Sequence, residues 1–180
     1  MGQVKLRAAW GESGRAPGAF DAVQTYDGVG WGGVPAFFPR VLGNSELGPE
    51  RTAEYEFGFD GSFWDDRLSL DFTYYNQKTT DALINVPQIP STGFIDVNGG
   101  NSQLENVGEI KNQGFEISAN AELIQSRNLN WDLGVSVSTN KSEAGLPEAI
   151  GEIAVGGNGW IIDGEPVPVI RGEKVMNPDA

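Results

Sequence analysis

Two pairs of long segments with strict apolar/polar alternation constrain this chain more than any other feature. Tyr55, Phe57 and Phe59 alternate with Glu54, Glu56 and Asp60. Beyond Phe63-Trp64-Asp65-Asp66, the residues Leu68, Leu70, Phe72 and Tyr74 alternate with Ser69, Asp71, Thr73 and Tyr75. Phe115, Ile117, Ala119, Ala121 and Leu123 do the same with Glu116, Ser118, Asn120 and Glu122. Leu129, Trp131, Leu133, Val135 and Val137 follow suit with Asn130, Asp132, Gly134, Ser136 and Ser138. A period of two makes each segment a strand with one apolar and one polar face. Runs of about ten residues exceed the roughly five to six usual in soluble sheets and match a tilted membrane-crossing strand.

The expected fold class is therefore all-β, an antiparallel up-and-down transmembrane β-barrel segment of about 5–7 strands, left as an open sheet on its own. Strands are expected at about 3–10, 52–62, 67–79, 113–124 and 129–140, and long loops at about 11–50, 80–112 and 141–165. Weak strand candidates lie at 82–86, 160–162 and 167–171, and 142–150 has room for one short helical turn at most. Connections alternate long and short, the barrel habit of tight periplasmic turns and extended outer loops. Trp10, Trp64, Tyr74 and Tyr75 sit near strand ends, where interfacial girdles are found. The alternative that explains the same alternation is a soluble antiparallel sandwich, with the apolar faces packed against one another.

Composition removes several kinds of chemistry. The 180 residues include no cysteine and no histidine, so thiolate sites, disulfides and imidazole catalysis are excluded. Acidic residues outnumber basic ones 25 to 12, a formal charge of -13 that repels nucleic acid and anionic lipid surfaces. A mean hydropathy of -0.30 fits a barrel wall and a soluble domain equally, because alternation hides a lipid-facing row from an average.

Three motifs invite a functional reading. Gly28-Val29-Gly30-Trp31-Gly32-Gly33 satisfies G-x-G-x-x-G, but Pro35 follows at once and no helical period appears, so a flexible loop is expected instead of a dinucleotide site. The acidic residues Glu54, Glu56, Asp60, Asp71, Glu116, Glu122 and Asp132 could pair for acid/base work, yet all occupy the polar strand faces, where a barrel lumen is lined with charge. Trp31, Phe37, Phe38 and Trp160 could stack on a flat ligand or pack the loops together. No residue is expected to be catalytic or to hold a metal or cofactor, and the sequence singles out no ligand-binding residue.

Asn44-Ser45-Glu46-Leu47-Gly48-Pro49-Glu50-Arg51-Thr52, followed by Glu54-Tyr55-Glu56-Phe57-Gly58, resembles the start of a barrel stretch in TonB-dependent outer-membrane receptors. Asp66-Arg67-Leu68, Thr73-Tyr74-Tyr75-Asn76, Thr79-Thr80-Asp81 and Asn112-Gln113-Gly114-Phe115-Glu116 resemble the same family in the same order, closest to its SusC/RagA-like branch. Ser45 stands where the family often has proline. The resemblance covers about 4–140 and is looser over 151–180. It implies a barrel of about 22 strands around an N-terminal plug, set in outer-membrane lipid and driven through TonB. The implied activity is import of a bulky nutrient (oligosaccharide, peptide or siderophore), with a surface substrate-binding lipoprotein as a further partner. The alternatives are a soluble secreted sandwich that binds carbohydrate and a passive porin-like barrel. No plug, TonB box, signal peptide or closing strand is recognisable. The expectation is thus an internal piece of the C-terminal barrel half, with Met1 an accidental start.

Overall fold

In the computed structural model, residues 2–89, 91 and 102–172 are described. Met1, the middle of the second expected loop and the end of the tail lie outside them. The described residues form strands and turns without a helix.

Five long strands make the main sheet: β1 (Gln3–Arg15), β4 (Glu50–Phe63), β5 (Leu68–Thr80), β8 (Glu109–Gln125) and β9 (Asn130–Gly145). Their order is β1-β4-β5-β8-β9, so each strand lies beside its predecessor in the sheet and the topology is up-and-down. Each strand is 13 to 17 residues long, longer than the alternation alone marks out. The reason lies at one end of the sheet. There the strands continue past their alternating portions into the mostly polar runs 11–15, 109–112 and 141–145.

Short turns join β4 to β5 and β8 to β9. In the first, Trp64, Asp65 and Asp66 all take positive φ, and the Arg67 amide donates to the Trp64 carbonyl at 3.3 Å. In the second, the Ser126 hydroxyl donates to the Leu129 carbonyl at 2.9 Å and accepts the Leu129 amide at 3.1 Å. Arg67 also ties the first turn sideways to β8. Its Nη2 donates to the Glu122 carbonyl at 3.0 Å, and its own carbonyl accepts the Glu122 amide at 2.8 Å.

The long connections are not featureless. β2 (Thr25–Trp31) and β3 (Val34–Val41) form a hairpin inside the first, and β6 (Leu83–Pro87) pairs with β7 (Ser102–Asn106) inside the second. After β9 come β10 (Ile153–Gly156), β11 (Gly159–Ile161) and β12 (Val169–Ile170), a small antiparallel sheet. The expected flexible loop at Gly28–Gly33 is corrected to a strand and turn. Gly32 and Gly33, at φ 58° and 85°, supply the two left-handed positions that a two-residue hairpin turn demands. Around them Trp31 pairs with Val34 and Gly28 with Phe37.

The chain divides into two units. The first comprises Met1–Ser13, Thr52–Lys78 and Lys111–Ser142, and the second Gly14–Arg51, Thr79–Ile110 and Glu143–Ala180. The second has a hydrophobic core of Ala82, Ile84, Ala144, Leu146, Ile153 and Ile161, with Ile153 only 1% exposed. The first contributes no side chain to the buried core among the described residues. Its large apolar residues stay open: Phe57, Ile117, Trp131, Leu133 and Val135 are all exposed. A sandwich would bury Tyr55, Phe72, Ile117 and Trp131 together under a second layer, and the first unit has no such layer. Neighbouring rings meet only along one face, Phe59 stacking on Phe72 at 5.7 Å and Tyr55 lying 6.4 Å from Tyr74.

Candidate functional site

The polar face of the first unit is cross-linked by side chains that reach over a whole strand. Arg7 on β1 donates through Nη2 to Asp71 Oδ2 at 3.0 Å and to Thr73 Oγ1 at 3.1 Å, both on β5. It also pairs with Asp60 of the intervening β4 at 3.1 Å. Gly58 makes the crossing possible, because a Cβ there would stand 3.2 Å from Arg7 Nη2 and 2.5 Å from the Phe72 carbonyl. Two of the candidate acid/base carboxylates, Asp60 and Asp71, are thus brought together. What joins them is one shared guanidinium, which makes them a brace between strands.

Tyr75 repeats the arrangement further along. Its hydroxyl lies across Gly114 of β8 and donates toward the Thr139 carbonyl at 3.3 Å and Asn140 Oδ1 at 3.1 Å, on β9. Tyr75 therefore belongs to the polar face, correcting its expected place in an interfacial girdle. Gln77 donates to Glu54 Oε2 at 3.0 Å and accepts from Asn112 at 3.4 Å. Glu116 lines a shallow depression with Tyr75, Gln77, Asn112 and Asn140. A second depression, about 410 Å³, is walled by Lys5, Asp60, Ser69, Asp71, Ser118 and Asn120.

In the second unit, the Asn44–Glu50 run is strapped down by β7. Asn106 accepts the Gly48 amide at 2.7 Å and donates to the Gly48 carbonyl at 2.8 Å and the Asp81 carbonyl at 2.9 Å. Asn44 donates to the Leu104 carbonyl at 3.1 Å, and Gln103 to the Gly43 carbonyl at 2.9 Å. Glu50 then accepts the Leu83 amide at 3.1 Å. Asn106 carries no advance signal in the sequence. Arg7 carried a faint one, as a cation on a strand otherwise facing acidic rows.

The four aromatic candidates separate. Trp31 and Phe37 are 78% and 80% exposed on the β2–β3 hairpin, whereas Phe38 and Trp160 are half-buried. Trp160 lies 5.2 Å beneath the Arg171 guanidinium, which forks onto Glu152 at 2.6 and 2.7 Å. That hydrogen-bonded guanidinium lowers the Glu152 carboxyl below its usual range, and the carboxylate in turn raises Arg171. Among the described residues, no group of three or more acidic side chains is placed to hold a metal ion.

The family profile described as "TonB dependent receptor-like, beta-barrel" matches residues 2–171. The chain belongs to the TonB-dependent receptor family. TonB-dependent receptor P26 of Formosa agariphila is 32% identical over 191 residues, covering 98% of this chain and 18% of that protein. TonB-dependent receptor SusC of Bacteroides thetaiotaomicron is 33% identical over 102 residues, 56% of this chain and 10% of that one. A solved structure of the RagAB peptide transporter superposes with a TM-score of 0.76 at 22% identity, covering 91% of this chain and 18% of that one. The chain therefore spans less than a fifth of the length of these TonB-dependent receptors. The motifs that resemble the family are the ones joined by the contacts above: Tyr75 and Asn76 on β5 meet the Asn112-Gln113-Gly114 run of β8, with Asn76 donating to Gln113 at 3.3 Å.

Proposed function

We propose that this chain forms part of the barrel wall of an outer-membrane receptor that imports a bulky nutrient with energy delivered through TonB. The observation that carries the reading is the two-sidedness of the first unit. One face of the five-stranded sheet is a row of open apolar side chains, suited to lipid tails, and the other is a hydrogen-bonded polar surface suited to a lumen. Strands of 13 to 17 residues, paired by tight turns between β4 and β5 and between β8 and β9, fit a wall that crosses a bilayer. Membership of the family supports the energy coupling and the outer-membrane location of the whole protein. SusC and RagAB among its likenesses support a surface substrate-binding lipoprotein as partner.

The role is transport, with the carboxylates of the polar face serving as braces. The test is uptake by cells carrying the full-length protein, with and without TonB. Accumulation of an oligosaccharide, peptide or siderophore that stops when TonB is deleted supports the reading. Equal accumulation in both backgrounds contradicts it and favours a passive pore.

A further inference from the structure

Asp27, Asp60, Asn98, Asn158 and Asp163 each stand directly before a glycine. Such a step carries its own reaction: the next backbone nitrogen can close on the side-chain carbonyl carbon, and glycine puts no Cβ in the way. The fold sorts these steps by whether side chain and nitrogen are free to meet. Asp163 is held, its Oδ1 accepting the Leu146 amide at 2.8 Å while the Gly164 nitrogen donates to the Ala144 carbonyl at 2.7 Å. Asp60 is paired with Arg7, and Gly61 is buried within β4. Gly28 lies inside β2, opposite Phe37. Asn98 lies outside the described residues.

Asn158 differs. With Gly157 it makes the two-residue turn between β10 and β11, where Gly157, at φ 56°, supplies the left-handed first position. Asn158 is exposed, and its side chain has no hydrogen-bond partner among the described residues. Only Gly156↔Gly159, the last pair of the hairpin and set off from Ala154 by a register shift, has to open to free the Gly159 nitrogen. The Asn158 carbonyl also has a partner to lose. It accepts the Arg171 amide at 2.9 Å, just beyond β12, and so helps to hold the guanidinium over Trp160 and on Glu152.

We propose that Asn158 is a self-modification site, converted through a cyclic succinimide to aspartate and isoaspartate. The Gly159 nitrogen gives its proton to solvent base and attacks Asn158 Cγ. The N–Cγ bond forms, the Cγ–Nδ2 bond breaks, and Nδ2 takes a proton from water and leaves as ammonia. Water, the only co-reactant, then opens the ring. Cleavage between the Gly159 nitrogen and Cγ gives aspartate; cleavage between that nitrogen and the Asn158 carbonyl carbon gives isoaspartate. In isoaspartate the main chain runs through Cβ, and the carbonyl that held Arg171 becomes a free carboxylate. The end of β12 is thereby released from β11.

Peptide mapping by mass spectrometry tests it on the purified full-length receptor, aged in mildly alkaline and mildly acidic detergent buffer. In the folded receptor the Asn158 peptide is expected to gain the amide-to-acid mass shift, faster in the alkaline buffer, and to elute as two products. Asp163 should stay unisomerised. Gly159→Ala, which puts a Cβ beside the attacking nitrogen, is expected to lose most of the conversion. Hydrogen exchange reads the consequence: aged wild type should lose protection at the Arg171 amide, and fresh Asn158→Asp should keep it. Asn158 that persists in the folded receptor over a period that exhausts it in the denatured receptor overturns the proposal. So does conversion at an equal rate in Gly159→Ala, or isomerisation at Asp163 that keeps pace. Conversion to isoaspartate with Arg171 protection intact overturns the release of β12.

Discussion

Tyr75 lies across Gly114, close enough that a Cβ on the glycine would stand 2.6 Å from the tyrosine hydroxyl. The same substitution would also collide with the Thr139 carbonyl. Glycine is required here by proximity, since neither Gly114 nor Gly58 takes a positive φ. An aromatic ring covering a strand glycine is a known way of pinning register in twisted sheets. In this wall the ring also carries a hydroxyl to the third strand.

Gly114→Val should therefore destabilise the folded barrel by about 1–3 kcal/mol, the usual cost of forcing atoms into an occupied space. Gly28→Ala, where nothing lies within 4 Å of the added carbon, should stay within about 0.5 kcal/mol of wild type. Denaturant titration of the full-length protein in detergent compares the two.

Asn106 holds Gly48 by both its amide and its carbonyl. Asn106→Ala should cost about 1–3 kcal/mol, because backbone groups in a half-buried strap lose their partners. Hydrogen exchange reads this locally: the Gly48 amide should exchange faster, while amides of β4 beyond Thr52 keep their protection.

The two faces of β9 should respond oppositely to charge. Val135→Arg is expected to cost about 2–4 kcal/mol if the position faces the bilayer midplane, and to lower the amount of receptor assembled in the outer-membrane fraction. Ser136→Arg, on the face where Ser136 meets Ser118 at 3.1 Å, should assemble normally.

The Glu152–Arg171 pair, outside the five strands of the main sheet, gives a pH signature. Because the folded state lowers the Glu152 carboxyl, its stabilising contribution is present above the ordinary glutamate range and is lost as pH falls through the lowered value. Fluorescence of Trp160, beneath Arg171, should hold steady through the ordinary carboxylate range and change only at more acidic pH. In Glu152→Gln the acidic transition should vanish.

The strands of the wall were legible because alternation is a local property, and Tyr55 to Phe59 or Leu129 to Val137 display it without help from the rest of the fold. The hairpin at residues 32–33 is hidden in the sequence because its strands alternate poorly: Gly28, Gly30, Pro35 and Pro39 break the pattern, and only the paired left-handed glycines mark the turn. Glu54, Asp60, Asp71 and Glu116 lie on the polar face that alternation assigns them, but nothing local announces that Arg7 reaches Asp71 across β4, a contact between residues 64 apart. Asn106 was illegible for the same reason, since its partner Gly48 lies 58 positions away. Tyr75 is ambiguous in the sequence, because an aromatic at a strand end suits either a girdle or a glycine, and the choice depends on what β8 puts beside it.

The proposed function requires the open apolar face of the first unit to meet lipid and the braced polar face to meet water. Spin labels placed singly from Trp131 to Ser138 in the full-length protein, reconstituted in bilayers, test it most directly. Collision with lipid-soluble oxygen should peak at positions 131, 133, 135 and 137, and collision with a water-soluble nickel chelate at 132, 134, 136 and 138. Reversed phases, or a uniform profile without a two-residue period, would contradict the account.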